Sequence, residues 1–92
     1  QVEYMKRHIG DEFEGVTGGV TAYGMCVEIN ELLVEGMIRV RDMQDDYYLF
    51  DARHYALPGR STGRVFRLGD VVRVRVAAVH PEERSIDFVI AG

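Results

Sequence analysis

Apolar residues recur along this chain with a period of two, not 3.6. Met25, Val27 and Ile29 alternate with Cys26 and Glu28, and Val72, Val74 and Val76 alternate with Arg73 and Arg75. Near the C-terminus Ile86, Phe88 and Ile90 alternate with Ser85, Asp87 and Val89 over Arg84–Ile90. Successive side chains on a strand point to opposite faces, so each segment reads as a strand with one buried face. Weaker patterns run from Asp11 to Val20 and from Val34 to Val40, where Ile38 and Val40 flank Arg39. Five core strands are expected, with helix limited to a turn near Arg41–Asp46.

The connections fit hairpins. His80-Pro81-Glu82-Glu83 separates two strand patterns, and Pro81 suits position i+1 of a tight turn. Gly24 within a strand pattern suggests a bulge that would bring Tyr23 and Cys26 onto one face. Without a bulge, residues three apart point to opposite faces. The stretch from about 42 to 70 is irregular. It holds Asp42, Asp45 and Asp46, then Tyr47, Tyr48 and Phe50, then the turn-rich Leu57–Gly63. It reads as a long insertion with its own hairpin, Tyr48–Ala52 against Arg64–Leu68. Its Tyr47, Tyr48, Phe50 and Tyr55 are expected to form a satellite core against the main one. The chain thus divides into a lead-in, residues 1–10, and one domain, residues 11–90. An all-β chain with five strands and its long link between strands three and four fits a small Greek-key barrel such as the OB-fold. That architecture binds oligonucleotides across strands two and three.

Composition narrows the class. At 92 residues and 47% hydrophobic, the chain is one domain and too apolar to be disordered. Its single cysteine, Cys26, excludes an internal disulfide framework. Apolar runs of only a few residues give no transmembrane helix and no signal-peptide core, pointing to a cytosolic domain. A chain opening on Gln1 hints at a fragment of a longer protein. The net charge of −4 argues against a nucleic-acid binder, but its distribution softens that objection. Residues 1–46 hold ten acidic and four basic side chains, and residues 47–92 hold five and seven. Ten of the eleven basic residues are arginines, which suit forked phosphate contacts and stacking on bases.

A search for catalytic chemistry returns little. The run Asp42, Asp45, Asp46 lacks the glycine and terminal Glu of a calcium loop and reads as a turn or cap. His8, His54 and His80 have no nucleophile beside them, and Gly18-Gly19 lacks the Lys-Ser/Thr of a phosphate loop. Cys26 with the three histidines shows no zinc-finger spacing, so neither a catalytic residue nor a metal ligand is assigned. Cys26 sits on the polar side of its strand without the cations that would activate a thiol, and reads as a small hydrophobe. Arg73 and Arg75 read as a solvated strand face. The positive signal is Tyr23, which by pattern reads equally as an aromatic platform or as a strand-edge core residue with its hydroxyl in water, with Arg39 as a nearby cation and His80 and Arg84 bordering the same surface.

Taken together, these segments resemble the RNA-binding S1 domain family. The opening is Gly10-Asp11-Glu12-Phe13-Glu14-Gly15-Val16. Tyr23-Gly24-Met25-Cys26-Val27 matches the second element and Glu35-Gly36-Met37-Ile38-Arg39-Val40-Arg41 the third, and Leu68-Gly69-Asp70-Val71-Val72 and Arg84-Ser85-Ile86-Asp87-Phe88 complete the match. The run Asp45–Asp51 followed by Gly63–Asp70 is similar to the long loop of the S1 domain in ribonuclease R-type 3′→5′ exoribonucleases. The resemblance implies an RNA-holding module whose magnesium-dependent catalytic domain lies outside this chain, with no cofactor of its own. It implies single-stranded RNA and the parent catalytic domain as partners, and a monomer in isolation.

It also implies a set of RNA contacts. Tyr23 keeps the family's first exposed aromatic, and Cys26 stands where a second, usually Phe, would stack. Arg39 replaces the usual His, His80 the usual Asp or Asn, and Arg84 is unchanged. One aromatic in place of two predicts weaker or less base-selective binding than the full set would give. His80 would add a charge that varies with pH. The alternative from a different class is a protein-docking OB-fold domain with little RNA affinity of its own, which the acidic first half favours slightly.

Overall fold

The computed structural model describes residues 2–92; residue 1 of the expected lead-in lies outside the described residues. Seven strands form among the described residues: β1 Glu12–Thr21, β2 Gly24–Ile29, β3 Val34–Arg39, β4 Ala56–Pro58, β5 Val65–Arg67, β6 Val71–His80 and β7 Ser85–Ile90. Five of them close into a barrel in the order β1-β2-β3-β7-β6, with β6 returning to β1, and β4 and β5 form a separate two-stranded sheet. Among the described residues, only β3 and β7 run parallel. The barrel is the all-β OB-fold architecture expected from the alternation. Closing the sheet leaves no free barrel edge.

The inward residues are those the alternation selects. Met25, Val27 and Ile29 of β2, Val74 and Val76 of β6, and Ile86 and Phe88 of β7 are all buried. Each such side chain contributes on the order of 1.5–3 kcal/mol relative to an exposed one. Gly36 lets β3 approach β7, since a Cβ there would stand 2.6 Å from the Phe88 ring. Met5, on a 3-10 helix over Glu3–His8, is also fully buried, so the lead-in adds a side chain to the core.

Three local expectations are corrected. β2 pairs with β3 in unbroken register from Gly24 to Ile29, so the bulge lies elsewhere, in β1 between Thr17 and Gly19 opposite Cys26. Gly24 serves a different purpose: its φ is +154°, and a Cβ there would collide with the Ile38 carbonyl oxygen. The second correction concerns the insertion. β5 pairs with Ala56–Pro58, not with Tyr48–Ala52, and the pairing sets the fully buried Leu57 opposite Phe66. Tyr48 and Asp51 make only isolated bridges, to Gly59 and Ala56.

The third is the satellite core. Tyr48 is buried and Phe50 packs against the core, together with Leu57, Phe66 and Met43, but Tyr47 and Tyr55 are exposed. Asp46 staples the insertion: its carboxylate accepts the N–H groups of Tyr47, Ser61 and Thr62 and the Thr62 hydroxyl. Those bonds, led by the Thr62 N–H, hold its carboxyl far below the usual carboxylate range. Asp45 accepts the Tyr48 hydroxyl at 3.0 Å and pairs with Arg64 at 3.6 Å. The aspartate run therefore organises the loop.

Candidate nucleic-acid interface

The outer face of β2, β3 and β7 collects the residues that the inward alternation leaves out. In β2 these are Cys26 and Glu28, in β3 Glu35, Met37 and Arg39, and in β7 Ser85, Asp87 and Val89. Cross-strand register places Cys26 opposite Met37, Glu28 opposite Glu35, and Met37 opposite Asp87. The Cys26 thiol donates to the Met37 thioether at 3.2 Å. Burial, with the Glu35 charge second, raises the thiol's pKa, so Cys26 is not poised as a nucleophile.

Tyr23 sits in the turn between β1 and β2, and the turn directs its ring outward. Thr21 accepts the Tyr23 N–H at 3.1 Å, and the Tyr23 carbonyl accepts the Val40 N–H at 2.8 Å, so the backbone is fixed although the residue is 83% exposed. An open groove of about 490 Å³ runs beside it, lined by Ala22, Tyr23, Met37, Arg39, Val40 and Arg41. Gly24, opposite Arg39, is what lets the Tyr23 turn lie so close to the end of β3.

The five residues singled out from the sequence are therefore distributed as follows. Tyr23 and Arg39 share the groove. Cys26 reaches that groove only through Met37, and not through a bulge. Arg39 pairs with Asp87 at 3.4 Å, and His80 Nε2 lies 2.9 Å from the other oxygen of the same carboxylate. Arg84 is exposed just beyond the His80–Ser85 pair, with a left-handed backbone at φ 54° and its N–H donating to the Pro81 carbonyl.

Two participants escaped the sequence reading. Asp87 looked like a routine polar position of a strand, and only the parallel β3–β7 pairing puts it beside Arg39. Arg41 follows β3 in a 3-10 turn over Val40–Asp42, and its position two residues after Arg39 was the available signal. Among the described residues, no three His, Cys, Asp or Glu side chains converge as a metal site would require. Among the same residues, no helix is long and apolar enough to cross a membrane.

A closed five-stranded barrel with an exposed aromatic and arginines at the β2–β3 face is an OB-fold of the kind that binds extended polymers on that face. The model of the S1 RNA binding domain matches residues 6–91, and the chain belongs to that family. It is 47% identical over 88 residues to ribonuclease R of Aquifex aeolicus, covering 96% of this chain and 12% of that protein. It is 43% identical over 86 residues to ribonuclease R of Vibrio parahaemolyticus, covering 94% of this chain and 10% of that protein. The chain thus spans only about a tenth of these relatives. The solved structure of Mycoplasma genitalium RNase R in complex with ribose-methylated single-stranded RNA shares the fold, with a TM-score of 0.89 at 21% identity over 98% of this chain and 14% of that one.

Proposed function

We propose that this chain holds single-stranded RNA on its β2–β3 face, as the RNA-gripping module of a ribonuclease R-like 3′→5′ exoribonuclease whose chemistry resides in another domain. The observation that carries the reading is Tyr23, an aromatic residue 83% exposed in a groove shared with Arg39 and Arg41. An aromatic held in water on a fixed backbone is a ready stacking platform, and stacking one base on it contributes roughly 1–3 kcal/mol. Arginine beside the ring adds phosphate and cation–π contact without demanding a particular base. Cys26 and Met37 supply contact area beside the stacked base, and His80 and Arg84 extend the surface at the β6–β7 end. The Mycoplasma genitalium RNase R, which shares this fold, is in complex with a ribose-methylated RNA of the same single-stranded class.

The test is fluorescence-anisotropy titration of a labelled single-stranded RNA at two salt concentrations, repeated with Tyr23→Ala and Arg39→Ala. Binding that weakens with salt and with each substitution supports the reading, because released counterions drive phosphate contacts. No binding at low salt by the folded chain would make the domain a docking element for its parent protein.

A further inference from the structure

Arg39 and Arg41 line the same groove but differ in what surrounds them. Arg39 has its charge met by Asp87 at 3.4 Å, and its side chain is 40% exposed. Arg41 is exposed, and among the described residues it takes part in no ion pair. The neighbouring Asp42 lines a separate hollow with Met43, Gln44, Asp45 and Arg64. The charge along the strand face is graded as well. Glu28 and Glu35 stand opposite each other at its far end, both exposed, while the arginines gather at the Tyr23 end. A polyanion following the strands from Tyr23 would run into that glutamate pair.

Resting on the RNA-holding reading above, we infer that Arg41 is the principal phosphate contact of the groove and that the RNA backbone leaves the strand face over the Val40–Asp42 turn. Arg39, whose charge is already shared with Asp87, contributes less. A free guanidinium releases a full counterion's share of driving force when it meets a phosphate, whereas a paired one must first give up its carboxylate.

The experiment titrates the 92-residue chain into a fluorescein-labelled oligouridylate of about ten nucleotides, from about 50 to 200 mM salt. The proteins are wild type, Arg41→Gln, Arg41→Lys, Arg39→Gln and Tyr23→Ala, each checked by thermal melting. Arg41→Gln should lower the slope of log affinity against log salt by about 0.7, the share of one phosphate on a single strand. Its loss of affinity at low salt should be several-fold and exceed that of Arg39→Gln, and Arg41→Lys should restore the slope. If Tyr23→Ala weakens binding but Arg41→Gln leaves the slope unchanged, or costs less than Arg39→Gln, the assignment of Arg41 is wrong and the RNA-holding reading stands. If wild type does not bind, or Tyr23→Ala is neutral, the RNA-holding reading falls and takes this inference with it.

Discussion

On the β1–β6 side of the barrel, Arg75 and Arg73 both lean on Glu12, at 2.7 and 3.4 Å. Their hydrogen bonds, Arg75's first, hold the Glu12 carboxyl below its ordinary range. On the β2–β3–β7 side, Arg39 shares one carboxylate with His80, Arg41 pairs with none among the described residues, and an exposed tyrosine stands beside them. Both faces present arginines from barrel strands or their ends. They differ in where the carboxylates fall, and that difference separates a closed surface network from a surface able to take on an anionic partner. Counting arginines would rank the faces equal; pairing them does not.

The largest expected effect comes from the residue that lets the two halves of the groove meet. Gly24→Ala forces a Cβ onto the Ile38 carbonyl in a backbone conformation that favours glycine. It should cost about 3 kcal/mol of stability by denaturant unfolding and loosen the Tyr23 turn. A variant as stable as the parent would mean the β2–β3 approach is not held by that glycine.

A smaller effect should follow from removing the carboxylate that quiets Arg39. Asp87→Asn keeps the shape but frees the guanidinium, so RNA affinity should rise about two- to threefold and the salt slope should steepen by up to about 0.7. A loss of affinity instead would mean that Asp87 matters by orienting Arg39, and not by cancelling its charge.

The smallest effect tests the other face. Glu12→Gln releases Arg73 and Arg75, so a second, weaker RNA site should appear in the titration as a shallow late phase. The parent should show none near neutral pH. With its folded pKa depressed, Glu12 contributes its stabilisation above the unfolded carboxylate value, about 4.3, and loses it only as pH falls through the folded value. A melting temperature or second phase that responds to pH between about 6 and 8 would therefore have another origin.

The strands were legible because alternation is a local property: burial acts on each side chain singly, and Met25, Val27 and Ile29 declare their face without knowing their partners. Legibility failed where phase changed. β6 runs ten residues, to His80, but its register slips between Val76 and Ala78, so the alternation ending at Val76 understated it. The insertion failed for another reason. Tyr48 and Leu57 are equally plausible strand residues in isolation, and both are buried beside Phe66, Leu57 by strand pairing and Tyr48 by ring contact, a distinction that exists only in the folded register.

The candidate site divides in the same way. Tyr23, Arg39, Cys26, His80 and Arg84 could be picked out from residue type and spacing, since an aromatic beside glycine and a cation on a polar strand face are visible in one dimension. What each one faces could not. Cys26 meets Met37 and His80 meets Asp87 across hairpins, while Arg39 meets Asp87 and Arg73 and Arg75 meet Glu12 across strands distant in sequence. By itself, the order of residues determined which positions turn inward and so the barrel. Only closure of the sheet decided which charges are cancelled and which stay free, because a Coulomb partner is set by distance in space and strand register sets that distance.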